Sequence, residues 1–141
     1  MILLDNHTNI EINLNLLKEI ANYLNIAKDI ELIITTDSEI AEINKEYRGV
    51  DKATDVLSFP LQDLEHMPLG SIIISIDRAK EVANNLEHSV DNEIALLFIH
   101  GLLHLIGYDH EVDNGEMRAK EKEVVEKFNL PRSLIVRTSG E

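Results

Sequence analysis

Gly70-Ser-Ile-Ile-Ile-Ser-Ile76, followed by Asp91-Asn-Glu-Ile-Ala-Leu-Leu-Phe-Ile-His100-Gly-Leu-Leu-His104-Leu-Ile106, decides the fold class. The first stretch is β-branched and almost continuously apolar, as a strand buried in the middle of a sheet is. The second is too long for a strand and apolar nearly all round, so it reads as a helix buried on most sides. Between them Asp77 begins a helix with Ala79, Val82, Ala83 and Leu86 turned inward. Working back from this centre, residues 55–59 form a short strand stopped by Pro60, and residues 62–68 form a polar loop. Asp37 or Ser38 caps a helix that buries Ile40, Ile43 and Tyr47 and closes at Gly49. Residues 30–35 alternate as a strand, and Asn13 caps a helix lined by Leu17, Ile20, Ala21 and Leu24. Residues 2–4 and 8–12 read as strand or edge pieces. A last helix runs over 114–128, with Met117, Val124, Val125 and Phe128 as its stripe and Pro131 beyond it. Strands interleaved with helices predict an α+β domain with a small mixed sheet.

The chain has 141 residues, which fits one domain over 1–141. It contains no cysteine, which excludes disulfides, thiolate metal sites and cysteine nucleophiles. The longest uninterrupted apolar run covers 94–99, well short of the ~20 residues of a membrane span. The first basic residue is Lys18, so the start lacks the charged region of a signal peptide. A cytoplasmic protein without membrane association is the expectation. The net charge is −13, which repels nucleic-acid phosphates at long range. Lys45, Arg48 and Lys52 nevertheless form a local basic strip. Arg118, Lys120, Lys122 and Lys127 alternate with Glu116, Glu121, Glu123 and Glu126, which reads as a salt-bridged helix face.

Three of the six histidines fall in the window 100–110. His100 and His104 are four apart on a helix, so their imidazoles leave one face and can reach one metal ion. Residue 110 would point elsewhere on a continuing helix. Gly107 can take a positive φ, end the helix and fold the chain back so that His110 becomes a third ligand. Three nitrogens leave a fourth position open, the catalytic pattern. Imidazoles without thiolates suit zinc, and nickel, copper and cobalt accept the same donors. Zinc proteases with this histidine spacing carry glutamate directly after the first histidine; here that position is Gly101. Peptide hydrolysis would need Asp109 or Glu111 as a substitute base, and orienting a ligand histidine is the better role for either. His7, His66 and His88 read as exposed histidines in polar or loop contexts.

The string His100-Gly-Leu-Leu-His-Leu-Ile-Gly-Tyr-Asp-His110 resembles the hallmark of the bacterial YbeY endoribonucleases, the ribosomal-RNA maturation factors. Asn44-Lys-Glu-Tyr-Arg48, continued by Thr54-Asp-Val-Leu-Ser-Phe-Pro60, resembles a second block of that family. Leu69-Gly70 before Ile72-Ile73-Ile74 resembles its Leu-Gly-Asp-Ile strand, with Ser71 in place of the usual aspartate. Met117 and Glu121 fall where the family often has methionine and glutamate. The resemblance implies a mixed four-stranded sheet with helices, the zincin-like metal-binding helix packed against it. It implies a single-strand-specific, metal-dependent endoribonuclease in small-subunit rRNA maturation and ribosome quality control. Single-stranded RNA, the ribosome or ribosomal proteins would be its partners. One Zn2+ per chain would be held by His100, His104 and His110, and Arg48 would match the family's catalytically important arginine.

Arginine suits phosphate oxygens because its guanidinium is planar and always charged. Tyr47, Asp51, Thr54, Asp55, Ser58 and Asp109 are candidates for shaping or supporting the site. Two nucleophiles stay open, zinc-bound hydroxide and the RNA 2′-OH. So do two other functions: a ribosome-associated factor with a structural metal, and a metallohydrolase acting on another substrate.

Overall fold

The computed structural model describes residues 1–61, 66–109 and 111–131. In chain order the elements are β1 (Ile2–Asn6), α1 (Leu14–Tyr23), β2 (Ile30–Thr35), α2 (Asp37–Arg48), β3 (Val56–Pro60), β4 (Gly70–Ser75), α3 (Ile76–Leu86), α4 (Val90–Leu105) and α5 (Glu116–Lys127). The sheet order is β1-β2-β4-β3. β1, β2 and β4 run parallel, and β3 lies antiparallel to β4 at one edge. Residues 70–75 thus form an inner strand, and Ile72, Ile73 and Ile74 are all buried. Their side chains alternate between faces. Ile72 and Ile74 join the main core with Phe98, Leu102 and Leu103 of α4, and Ile73 meets Ile40 of α2 and Leu57 of β3 on the other face. The result is an α+β fold in which α4 covers one face of the sheet and α2 the other.

Local chemistry sets the ends of the elements. Asn13 caps α1 as expected, its Oδ1 accepting from Leu16 N–H. The cap of α2 is Thr36, not Asp37 or Ser38. Asp37 is engaged elsewhere: it accepts from the Ser75 hydroxyl at 2.6 Å and pairs with Arg78, tying the starts of α2 and α3 together. Ser75 likewise caps α3, so that helix begins at Ile76 and not at Asp77. Residues 8–12 form no strand, because Asn6 pre-empts a ladder. Its Oδ1 accepts from the Thr8 amide and hydroxyl, and its Nδ2 donates to the Ile10 carbonyl. The polar loop over 62–68 lies partly outside the described residues. Among those described, no helix is long and apolar enough to cross a membrane.

Two of the three histidines expected to be exposed contact carboxylates. His88 places Nε2 2.8 Å from Glu93 Oε1, and both side chains are largely buried at the start of α4. A carboxylate in that position is tolerable because the imidazole satisfies it. His7 bridges Asp5 of β1 and Glu39 of α2 at 2.9 and 2.8 Å. The hydrogen bond to Asp5, followed by the charge of Glu39, raises its pKa above the ordinary 6.5. Unfolded His7 titrates at the ordinary value, so the stability it contributes is fully present below pH 6.5 and is lost as pH rises through the raised folded value. An NMR titration of the His7 ring protons should give a midpoint above 6.5 that falls in Asp5→Asn.

Candidate active site

His100 and His104 stand one turn apart on the last two turns of α4, with ring centroids 4.8 Å apart and planes at 80°. His100 Nδ1 lies 2.9 Å from Oε2 of Glu121, a residue only 1% exposed. His104 Nδ1 lies 3.0 Å from the Tyr108 carbonyl oxygen. Both partners are acceptors, so Nδ1 is the donor on each ring, and Nε2 is the nitrogen that a neutral imidazole would offer to a metal. Metal-holding histidines have this arrangement, because the bond at one nitrogen fixes ring and tautomer for the other. The Tyr108 carbonyl is in reach because α4 stops as expected. Gly107 adopts φ +105°, the Tyr108 N–H donates to the Leu103 carbonyl, and the chain turns back.

The two imidazoles line a cleft of about 720 Å3 walled by α4, β3 and the end of α2. Arg48 lines it from α2, Asp55 and Ser58 from β3 and the residue preceding it, and Asp109 and Glu111 from the segment after Gly107. Arg48 forms no ion pair with a described carboxylate; Asp51 pairs instead with Lys45, at 3.8 Å. Three contacts hold the end of α2 in place. Gly49 closes the helix in the left-handed region, the Asn44 side chain donates to the Lys52 carbonyl, and Tyr47 packs on Phe59 of β3 with centroids 5.7 Å apart.

The sequence candidates therefore divide. Arg48, His100, His104, Asp55, Ser58 and Asp109 meet at the cleft. Tyr47 and Asp51 are not among the lining residues, and Tyr47 is 68% exposed where its helix position had predicted burial. Asp55 accepts from Val56 N–H and from the Thr54 hydroxyl, and Asp109 Oδ1 accepts from Glu111 N–H. His110 lies outside the described residues. Ser71 sits on the face away from α4 and donates to Glu31. Its neighbour Ile72 touches the histidine-bearing helix α4: a Cβ on Gly101 would come 3.1 Å from Ile72 Cγ2. A side chain at Gly101 would start against the sheet, tighter than an ordinary contact.

Glu121 is the partner of His100 that charge patterning hides. The alternation along α5 assigned it to a solvated face, yet it shares the buried side with Met117, Val124 and Val125. The positions 117, 121, 124 and 125 are themselves the signal, because a carboxylate within an apolar helical stripe must find a buried partner.

The donor chemistry fits zinc. Two oriented imidazoles are present, and among the described residues no third histidine, cysteine or carboxylate completes a metal-sized group. A third ligand to such an ion would lie outside them, where the sequence offers His110.

Comparison with known proteins names a family. The family described as Endoribonuclease YbeY matches residues 4–129. The chain belongs to the endoribonuclease YbeY family. Relatives named Endoribonuclease YbeY include those of Nautilia profundicola, 64% identical over 97% of this chain and 98% of theirs, and Helicobacter pylori, 56% identical over 98% and 99%. The solution structure of a Thermotoga maritima protein superposes with a TM-score of 0.62 at 31% identity, covering 91% of this chain and 89% of that one.

In this YbeY-family chain the Glu121–His100 contact can be tested apart from the chemistry. Glu121→Gln keeps the shape and an acceptor but removes the charge. Zinc affinity, read by competition with a chromophoric chelator, is expected to fall about ten- to a hundredfold, the usual cost of losing the partner behind a ligand histidine.

Proposed function

We propose that the chain is a zinc-dependent endoribonuclease that cuts single-stranded RNA, acting in maturation of small-subunit ribosomal RNA and in ribosome quality control. The observation that carries the reading is the pair of imidazoles whose Nδ1 atoms are both committed to acceptors, facing an arginine across a cleft. His100, His104 and His110 hold the metal. Bound there, zinc would supply positive charge to the reacting phosphate and would lower the pKa of water.

The chain's own residues supply the rest. Glu121 and the Tyr108 carbonyl keep the two rings in the metal-binding tautomer. Arg48 brings a guanidinium that no described carboxylate neutralises, so its charge is available to the phosphate. The basic strip expected around it contributes less, since Lys45 is paired with Asp51. With a net charge of −13 the surface repels RNA generally, and productive binding is confined to the cleft and to surfaces supplied by the ribosome or its proteins.

The test uses one RNA sequence, single-stranded and annealed to its complement, incubated with zinc-loaded protein, with chelator-stripped protein, and with stripped protein given zinc again. Cleavage of the single strand that disappears on stripping and returns with zinc is the expected result. Cleavage unaffected by stripping, or none by the zinc-loaded protein, overturns the reading.

A further inference from the structure

β3 is an edge strand, and its free edge runs along the cleft. The antiparallel register with β4 determines which of its backbone groups are used. Ser75 N–H donates to the Asp55 carbonyl and Leu61 N–H to the Leu69 carbonyl, so Asp55, Leu57, Phe59 and Leu61 face β4. Val56, Ser58 and Pro60 therefore direct their backbone groups away from β4, and all three line the cleft.

These outward groups are not a continuous ladder. Asp55 Oδ1 takes the Val56 N–H at 2.8 Å, and Pro60 has no N–H to offer. Ser58 alone presents an N–H and a C=O side by side, and no described residue bonds to either. Addition of a peptide strand needs a repeating series of donors and acceptors, which this edge lacks. A single donor next to a single acceptor matches something smaller, the hydrogen-bonding edge of one nucleobase.

We propose that Ser58, through its backbone N–H and C=O on the free edge of β3, pairs with the Watson–Crick edge of one unpaired base of the RNA held in the cleft. The inference rests on the ribonuclease reading and deepens it by naming what selects the substrate. All four bases carry a donor beside an acceptor on that edge, and only unpaired bases expose it. Single strands are then selected without strong sequence preference, and duplex RNA is refused because its base edges are already engaged. A neutral contact to the base also suits a chain of charge −13 better than a series of phosphate contacts.

The experiment measures cleavage kinetics of zinc-loaded protein on oligouridylate and on the same oligomer built from N3-methyluridine, in which a methyl replaces the donor on the base edge. Methylation is expected to raise KM about five- to tenfold with kcat little changed, the effect of one lost hydrogen bond whose partner stays unpaired. Ser58→Pro removes the outward N–H and no bond of the β4 ladder. It is expected to raise KM on oligouridylate by a similar factor and to add little on the methylated oligomer. Equal KM for the two oligomers overturns the proposal, as does a folded Ser58→Pro that keeps the full methylation penalty. If Ser58→Pro fails to fold by circular dichroism, the two oligomers on the unaltered protein decide. If that protein cuts neither oligomer, the ribonuclease reading falls first and the proposal with it.

Discussion

His104→Ala is expected to empty the metal site and to lower RNA cleavage at least about a thousandfold, since a catalytic metal contributes several kcal/mol of charge stabilisation. The substitution removes one of three proposed ligands, a larger loss than that of a partner behind a ligand. The fold should survive. His104 is only partly buried, α4 keeps its apolar contacts through Leu102, Leu103 and Leu105, and the turn at Gly107 keeps its Tyr108-to-Leu103 bond. Zinc content by mass spectrometry of the native protein, circular dichroism and RNA cleavage, measured on one preparation, check the result together. A folded variant that retains zinc and activity would remove His104 from the centre. Preparing the variant in parallel also controls for contaminating ribonucleases, which would cut equally in both samples.

Arg48→Ala should do the reverse to the metal. Zinc stays bound, because Arg48 reaches the cleft from α2 and not from the helix that carries the imidazoles. Cleavage falls about a hundred- to a thousandfold, the usual loss when one preorganised donor to a developing anion is deleted. Arg48→Lys restores the charge without the planar fork and recovers part of the rate. Little change in thermal stability is expected, since the side chain is exposed and forms no ion pair with a described carboxylate. If kcat in Arg48→Ala equals that of the unaltered protein, the arginine is a surface residue at the rim.

The elements that could be read from the sequence are those whose pattern is dictated by one partner surface. The run at 72–74 must be buried on both faces, and a sixteen-residue apolar helix has nowhere to go but against such a sheet. The spacing of His100 and His104 and the break at Gly107 are equally local, since helix geometry and one glycine dihedral determine them. Contacts between distant residues were not legible. Glu121 lies twenty-one positions from His100, and its neighbours in sequence are charged, so its own charge looked ordinary. Tyr47 follows the buried side of α2 by periodicity, but α2 ends at the sheet edge, where there is Phe59 to lean on and no core to enter. Asp37 does not cap α2 for a related reason: its carboxylate is claimed by Ser75 and Arg78 at the start of α3.

The division of the centre between α4 and α5 has a consequence for the chain as it is being made. Proteins are synthesised from the N-terminus at about 5–20 residues per second, and early segments begin to fold before late ones exist. His100 and His104 emerge with α4, whereas the carboxylate that orients His100 arrives with α5, together with Met117, Val124 and Val125, which seal that side of the core. A nascent chain ending before Glu121 carries both imidazoles but lacks the group that fixes one of them. Its first imidazole lacks its buried carboxylate until α5 is made, so on the proposed reading the centre of an unfinished chain is incomplete beside the ribosome that is making it.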